Sequence, residues 1–308
     1  MTAFRITNRS INRTVMNGLQ ANLGRMQELQ QQLSSGRQLS RPSDSPVGTS
    51  SAMQFRAEVR ATEQHVRNAQ DGLNWLGTTD NILTGVIGDA GRARQLILAG
   101  LNGTAAQGER EALAAEVDAL RSGLLDVANT KYLDRPIFAG TADVDVAYDR
   151  TTGAFLGNVG AEATPGATGK VERAIGPGVT ARVNLTGPEI FGSQTGPDRD
   201  LFAILADVAA NLRSGDTAAL GADLTALDDR LGAIQNQLAK VGARYHQVET
   251  MRDRAENELI TLKHGLSEVE DIDLPKTIVD LQLQEVAYKA ALSATARVIQ
   301  PSLLDFLR

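Results

Sequence analysis

The chain has 308 residues, a formal net charge of -6 from 37 acidic and 31 basic side chains, and no cysteine. Disulfide scaffolds, thiolate metal centres and cysteine nucleophiles are thereby excluded, and the basic excess with which nucleic-acid binders neutralise phosphates is missing. Aromatic residues make up only 4%, with Trp75 the single tryptophan, a composition that predicts slender helix packing rather than a thick globular core.

The opening MTAFRITNRS lacks the apolar stretch of a cleaved signal peptide, and no segment approaches the roughly 18 uninterrupted apolar residues of a membrane span. Residues 8–35 carry an apolar ladder of Ile11, Val15, Leu19, Leu23, Met26, Leu29 or Gln30, and Leu33, the spacing of an amphipathic helix. Asn12, Asn17, Gly18, Asn22 and Gly24 are poor helix formers, so this segment is expected to gain its helix only against a partner. Ser34-Ser35-Gly36 ends it, and Pro42 and Pro46 forbid a continuous helix through the turn from Ser40 to Pro46. Residues 47–100 are again helical in pattern, with Met53, Val59, Val66, Leu73, Leu76, Leu83, Val86 and Ile97 among the predicted buried positions; residues 109–128 repeat the heptad through Leu113, Val117, Leu120, Leu124 and Val127.

Composition changes at Pro136. Residues 136–197 hold 11 of the 29 glycines and 5 of the 9 prolines, with short β-like runs at Val144 to Tyr148, Lys170 to Ile175 and Val179 to Leu185. Helix returns at Leu201 to Leu212. The longest ladder then runs from Leu224 to Val269 at alternating steps of three and four, with Arg252 its one polar member. At about 1.5 Å per residue such a helix is roughly 70 Å long and needs long partners. Beyond the acidic hinge Glu270 to Pro275, a last amphipathic helix carries Ile278, Leu281, Tyr288, Leu292, Thr295, Ile299, Leu303 and Phe306.

The predicted fold is mainly α: an elongated antiparallel helical bundle or coiled coil built from N- and C-terminal halves, with a small β-rich insertion. Its expected divisions are an N-terminal assembly helix (1–40), a first bundle half (41–135), the insertion (136–198), a second bundle half (199–271) and a C-terminal assembly helix (272–308). No catalytic, cofactor-binding or metal-binding residue is predicted. The three histidines, His65, His246 and His264, read as flank positions, and the run Glu268 to Asp273 lacks the glycine and terminal glutamate of a calcium loop. A zipper-type DNA binder would need a basic helix leading into the long ladder, where Asp216 and Asp223 stand beside only Arg213.

Several stretches resemble a known family. Leu33-Ser34-Ser35-Gly36 followed by Ser43-Asp44, the run Arg67 to Gly72, Glu109-Arg110 before the 113–128 heptad, and the ending Phe306-Leu307-Arg308 resemble bacterial flagellin. Arg41-Pro42-Ser43-Asp44-Ser45-Pro46-Val47, Ile175-Gly176-Pro177-Gly178 with Val183-Asn184 and Gly187, and the stretches Asp280 to Glu285 and Ala294 to Arg297 are similar to the hook-filament junction branch of that family. The resemblance implies a structural protein, not an enzyme, exported through the flagellar type III apparatus without a cleaved signal, held by an export chaperone and placed extracellularly in the flagellum. It implies a ring of copies between an adjacent hook-associated junction protein and the flagellin filament, with no nucleic-acid or membrane partner and no cofactor. The expected assembly interface is then Ile11, Val15, Leu19, Leu23, Met26, Leu33, Leu281, Tyr288, Leu292, Ile299, Leu303 and Phe306. Residues 1 to about 40 and about 272 to 308 are expected to order together on assembly. Filament flagellin itself, or a secreted coiled-coil effector or adhesin, is the alternative.

Overall fold

The computed structural model of the chain describes residues 8–102, 106–158, 169–193 and 199–299. Among them the order is α1 (Asn8–Ser35), α2 (Pro46–Leu101), α3 (Gln107–Ala128), β1 (Lys131–Tyr132), β2 (Arg135–Pro136), β3 (Glu172–Gly176), β4 (Val179–Arg182), α4 (Gly187–Phe191), α5 (Leu201–Ser214), α6 (Thr217–Glu270) and α7 (Leu274–Ile299). The fold is mainly α, as the ladders predict. The chain divides into two compact units, Met1–Ala61 with Leu259–Arg308 and Thr62–Glu258, so α2 and α6 each lend residues to both.

In the second unit the long ladder has one dominant position. Leu220, Leu227, Ile234, Val241, Val248 and Ala255 of α6 are buried at every seventh residue, and the alternate positions Leu224, Leu231, Leu238 and Tyr245 are half-buried. On α2, Ala69, Leu76, Leu83, Ala90 and Ile97 are buried at the same interval. The two helices run antiparallel with constant register: the Arg252 guanidinium reaches Gln70, Tyr245 lies over Gly77, Arg94 pairs with Asp228 at 2.7 Å, and Leu220 approaches Gly100. Each large apolar side chain removed from water contributes about 1.5 to 3 kcal/mol before entropy is subtracted, more than the ~1 kcal/mol by which Gly232 or Gly242 weakens the helix. The exposed Arg94–Asp228 pair contributes far less than the seam beneath it.

α5 is held at both ends. Asp200 caps its start, accepting from the Phe202 N–H, and Gly215 ends it in the left-handed conformation (φ 75°) with its N–H on Asn211 O. Arg121 of α3 donates to Phe202 O at 3.0 Å, and Arg213 of α5 pairs with Asp118, so polar ties flank the α3–α5 contact.

The expected β-rich insertion is sparser in strand and richer in bulk than its composition suggests. Only two antiparallel pairs form among the described residues: β1 with β2, and β3 with β4. Val144 to Tyr148 makes no strand; Tyr148 forms one isolated bridge with Phe155. Asparagine side chains stand in for strand partners. Asn129 accepts from Tyr148 N at 2.8 Å and donates to Tyr148 O at 2.9 Å, and Asn184 accepts from Val171 N at 2.8 Å while donating to Gly169 O at 2.7 Å. Both amides are buried, where unmade backbone hydrogen bonds are costly. Around them Phe138, Tyr148, Phe155, Phe191 and Phe202 form a chain of ring contacts with centroids 5.1 to 5.6 Å apart. The few aromatic residues are concentrated here, where strands are too short to make a core from aliphatic side chains alone.

The β3–β4 hairpin seats on α2 through the Arg67 to Gly72 run. Asn68 donates to Ala174 O at 2.8 Å, Asp71 pairs with Arg173 at 2.7 Å, and a Cβ on Gly72 would lie 2.9 Å from Val183. Gly178, at φ 69°, makes the Pro177-Gly178 turn between β3 and β4.

Candidate assembly surface

The first and last described helices pair with one another. On α1 the half-buried face is Val15, Leu19, Asn22, Met26, Leu29 and Leu33; on α7 it is Thr277, Leu281, Gln284, Tyr288, Ala291 and Thr295, of which Thr277 is buried. Both follow alternating steps of four and three, the knobs-into-holes spacing. Gln284 Nε2 donates to Asn22 O and Oδ1, each at 3.2 Å, a polar pair within the seam that fixes the register.

Of the predicted interface residues, Val15, Leu19, Met26, Leu33, Leu281 and Tyr288 lie on this seam. Leu23 and Leu292 do not: they are 38% and 44% exposed, because Asn22 and Ala291 occupy the seam positions beside them. Ile278 is likewise exposed next to Thr277. Ile11 and Ile299 belong to the α1 and α7 backbones, and Leu303 and Phe306 lie outside the described residues.

The connections that lead away from the seam are tied by backbone hydrogen bonds. Gly36 ends α1 at φ 70°, with its N–H on Gln32 O; Gln38 N donates to Glu270 O at 2.7 Å, and Ile272 N donates to Gly36 O at 3.2 Å. Within the turn, Asp44 accepts from Arg41 N at 2.7 Å, and from Ser40 N and Oγ at 3.2 Å each. These donors, the Arg41 N–H foremost, hold its carboxyl below the usual carboxylate range. The acidic hinge is a helix start: Asp273 accepts from Lys276 N at 3.2 Å, and Pro275 sits in the first turn of α7, where its missing N–H is no loss. The Ser43-Asp44 and Gly36 matches thus mark a tied strap.

The outward stripe of α7 escaped sequence reasoning. Val279, Leu283 and Val286 are 60%, 69% and 66% exposed, and at about 100° per residue they stand opposite the seam. Their spacing of four and three was available in the sequence, offset by two residues from the register that the seam uses. A helix apolar on two opposite faces needs two partners, and α1 supplies one. Met53, predicted to be buried, is also exposed; Ala52 takes the inward position.

The histidines sit on helix surfaces, His246 beside Glu249 and His264 beside Glu268, with His65 Nδ1 3.3 Å from Ala174 O. Among the described residues there is no cluster of His, Asp and Glu suited to a metal ion, and no helix is long and apolar enough to cross a membrane.

Residues 6–143 match the family described as the bacterial flagellin N-terminal helical region. Flagellar hook-associated protein 3 of Escherichia coli (strain K12) is 25% identical over 285 residues, 86% of this chain and 87% of its own length. The chain is similar to this hook-associated protein over most of its length. Flagellin of Bacillus subtilis (strain 168) is also 25% identical, over 300 residues covering 95% of this chain and 96% of its own length. Among solved structures, FlgL of Bacillus cereus superposes with a TM-score of 0.58 at 23% identity, covering 70% of this chain and 99% of that one. Flagellar hook-associated protein 3 of Legionella pneumophila gives a TM-score of 0.59 at 17% identity, covering 70% and 98%. These likenesses show the fold.

Proposed function

We propose that this chain is a structural subunit of the bacterial flagellum that joins the hook-associated proteins to the flagellin filament, and that it acts by packing its paired terminal helices against neighbouring subunits. The observation that carries this reading is α7: one apolar face is spent on α1, and a second, opposite face is left to solvent. A helical assembly needs such a surplus face at a chain end, where it meets a different patch of the next subunit. The partners follow from the family likeness: further copies arranged about the flagellar axis, a hook-associated junction protein on one side, flagellin on the other, and an export chaperone before assembly. The location that goes with it is extracellular, reached without a cleaved signal peptide. No catalytic step belongs to this role.

Labelling the protein on intact flagella tests the reading. A junction subunit occupies a short zone next to the hook. The likeness to Bacillus subtilis flagellin over nearly the whole chain favours a second reading, a filament subunit, and label running the length of the filament would establish it in place of the first.

A further inference from the structure

In the first unit a cavity of about 320 Å³ opens between the strap and the start of α2. Arg37, Arg41 and Arg56 line it, and Glu270 is the one acidic residue of the lining. Arg56 pairs with Glu270 at 2.6 Å, Arg41 feels the nearby Asp44 carboxylate, and Arg37 makes no ion pair among the described residues. The apolar part of the lining is Leu39, Pro42, Ala52 and Met53, the last 59% exposed. Thr49 Oγ1, also in the lining, is buried with no hydrogen-bond partner among the described residues. The cavity therefore offers a net positive rim, apolar surface and an unmet hydroxyl, and the α1–α7 seam uses none of them.

The same unit carries a surface of complementary character. Val279, Leu283 and Val286 form the outward stripe of α7, with the exposed Asp280 along its edge. Charge is divided the same way: residues 1–60 hold eight Lys/Arg against three Asp/Glu, and residues 261–308 hold five against seven. We propose that α7 of a second copy of this chain docks at the cavity, setting its outward stripe over Leu39 and Met53 and presenting Asp280 to Arg37 and Arg41. Because the two patches differ, the contact is head to tail and repeats from copy to copy. The charges set orientation and exclude the reversed helix, and the apolar stripe supplies the buried area. This assignment rests on the assembly reading above and names the partner surface that it requires.

The absence of cysteine makes the test direct. Two differently tagged chains, one Met53→Cys and one Leu283→Cys, are expressed together, and their flagella are isolated and mildly oxidised. The expected product is a disulfide-linked species bearing both tags; with one cysteine per chain it cannot arise within a copy. Adding Arg37→Glu and Arg41→Glu to the first chain should lower its yield at least tenfold, and Asp280→Arg in the second should restore it, with circular dichroism of each purified variant unchanged. Cross-linking of position 53 or 283 to another flagellar protein, a yield indifferent to charge reversal, or no mixed-tag species in flagella that contain the chain would each overturn the docking and leave the junction reading standing. Absence of the unmodified chain from flagella would overturn both.

Discussion

Gly187 shows how little slack the aromatic cluster has. A Cβ at this position would stand 2.4 Å from the Tyr148 hydroxyl oxygen and 2.8 Å from Phe155, both inside van der Waals contact and both on rings packed by further rings. Gly187→Ala should destabilise the second unit by about 1 to 3 kcal/mol, read as a lowered thermal midpoint with near-ultraviolet dichroism lost from the tyrosine region. Two residues on, Glu189 receives both guanidinium nitrogens of Arg182, at 2.9 and 2.6 Å, and the Thr186 N–H at 2.7 Å. Burial pushes its carboxyl up, but Arg182 and the Thr186 N–H outweigh that, so the net shift is downward from 4.5. A carboxylate whose folded pKa lies below its unfolded value adds stability above pH 4.5 that is lost as pH falls through the folded value. Chemical denaturation at pH 7 should find Glu189→Gln weaker by about 1 to 2 kcal/mol, and the gap to the parent chain should narrow as pH is lowered below 4.5. A gap that stayed constant down to acid pH would mean that the carboxylate charge contributes nothing.

Among the elements, α6 and α7 invite opposite experiments. Ile234 lies at the middle of the six fully inward positions of α6, so Ile234→Ala should cost about 2 to 5 kcal/mol in a denaturant titration. On α7 the same Leu→Asp change should give two outcomes two residues apart. At half-buried Leu281 it strips helicity from the α1–α7 pair in the free protein; at Leu283, exposed on the far side, it leaves the monomer's circular dichroism intact and removes the chain from flagella. Equal loss of monomer helicity in both would dissolve the distinction between seam and outward stripe.

These elements also show what the sequence could and could not disclose. The helix spans were legible because a sustained 3–4 repeat has one structural solution, and α6 obeys it for six heptads. The α1–α7 seam was legible only in part. It runs through Asn22, Thr277, Gln284 and Ala291, polar or small residues that a search for large apolar positions passes over in favour of Leu23, Ile278 and Leu292. Nothing local distinguishes them, since the choice is made by how Gln284 meets Asn22 across the pair. The insertion was the least legible, because glycine and proline announce turns but not that asparagine amides will replace strands around a cluster of rings.

At the scale of the whole molecule, the two units differ in how they are held. The second has a continuous core of fully buried side chains, from Leu73 and Leu76 through Phe138 to Val248; in the first, the α1–α7 face is mostly half-buried. Opening free energy follows buried contact. Hydrogen exchange should therefore find amides of residues 13–33 and 277–295 exchanging well before those of 69–97 and 220–248 in the free protein, and protected to a similar degree once the chain is in the flagellum. Strong protection of the terminal helices in the monomer would argue that their faces are already satisfied.

The constant register of α2 against α6 also restricts how the chain can change in length. Removing one residue from α2 rotates everything beyond it by about 100° and turns Leu76 or Leu83 away from α6. A cut of seven, matched by a cut of seven in the antiparallel partner, restores the inward set on both. The helix pair is therefore modular: it can be shortened or extended by whole heptads taken from both helices together, and a deletion of one or two residues in either helix should act like a core mutation.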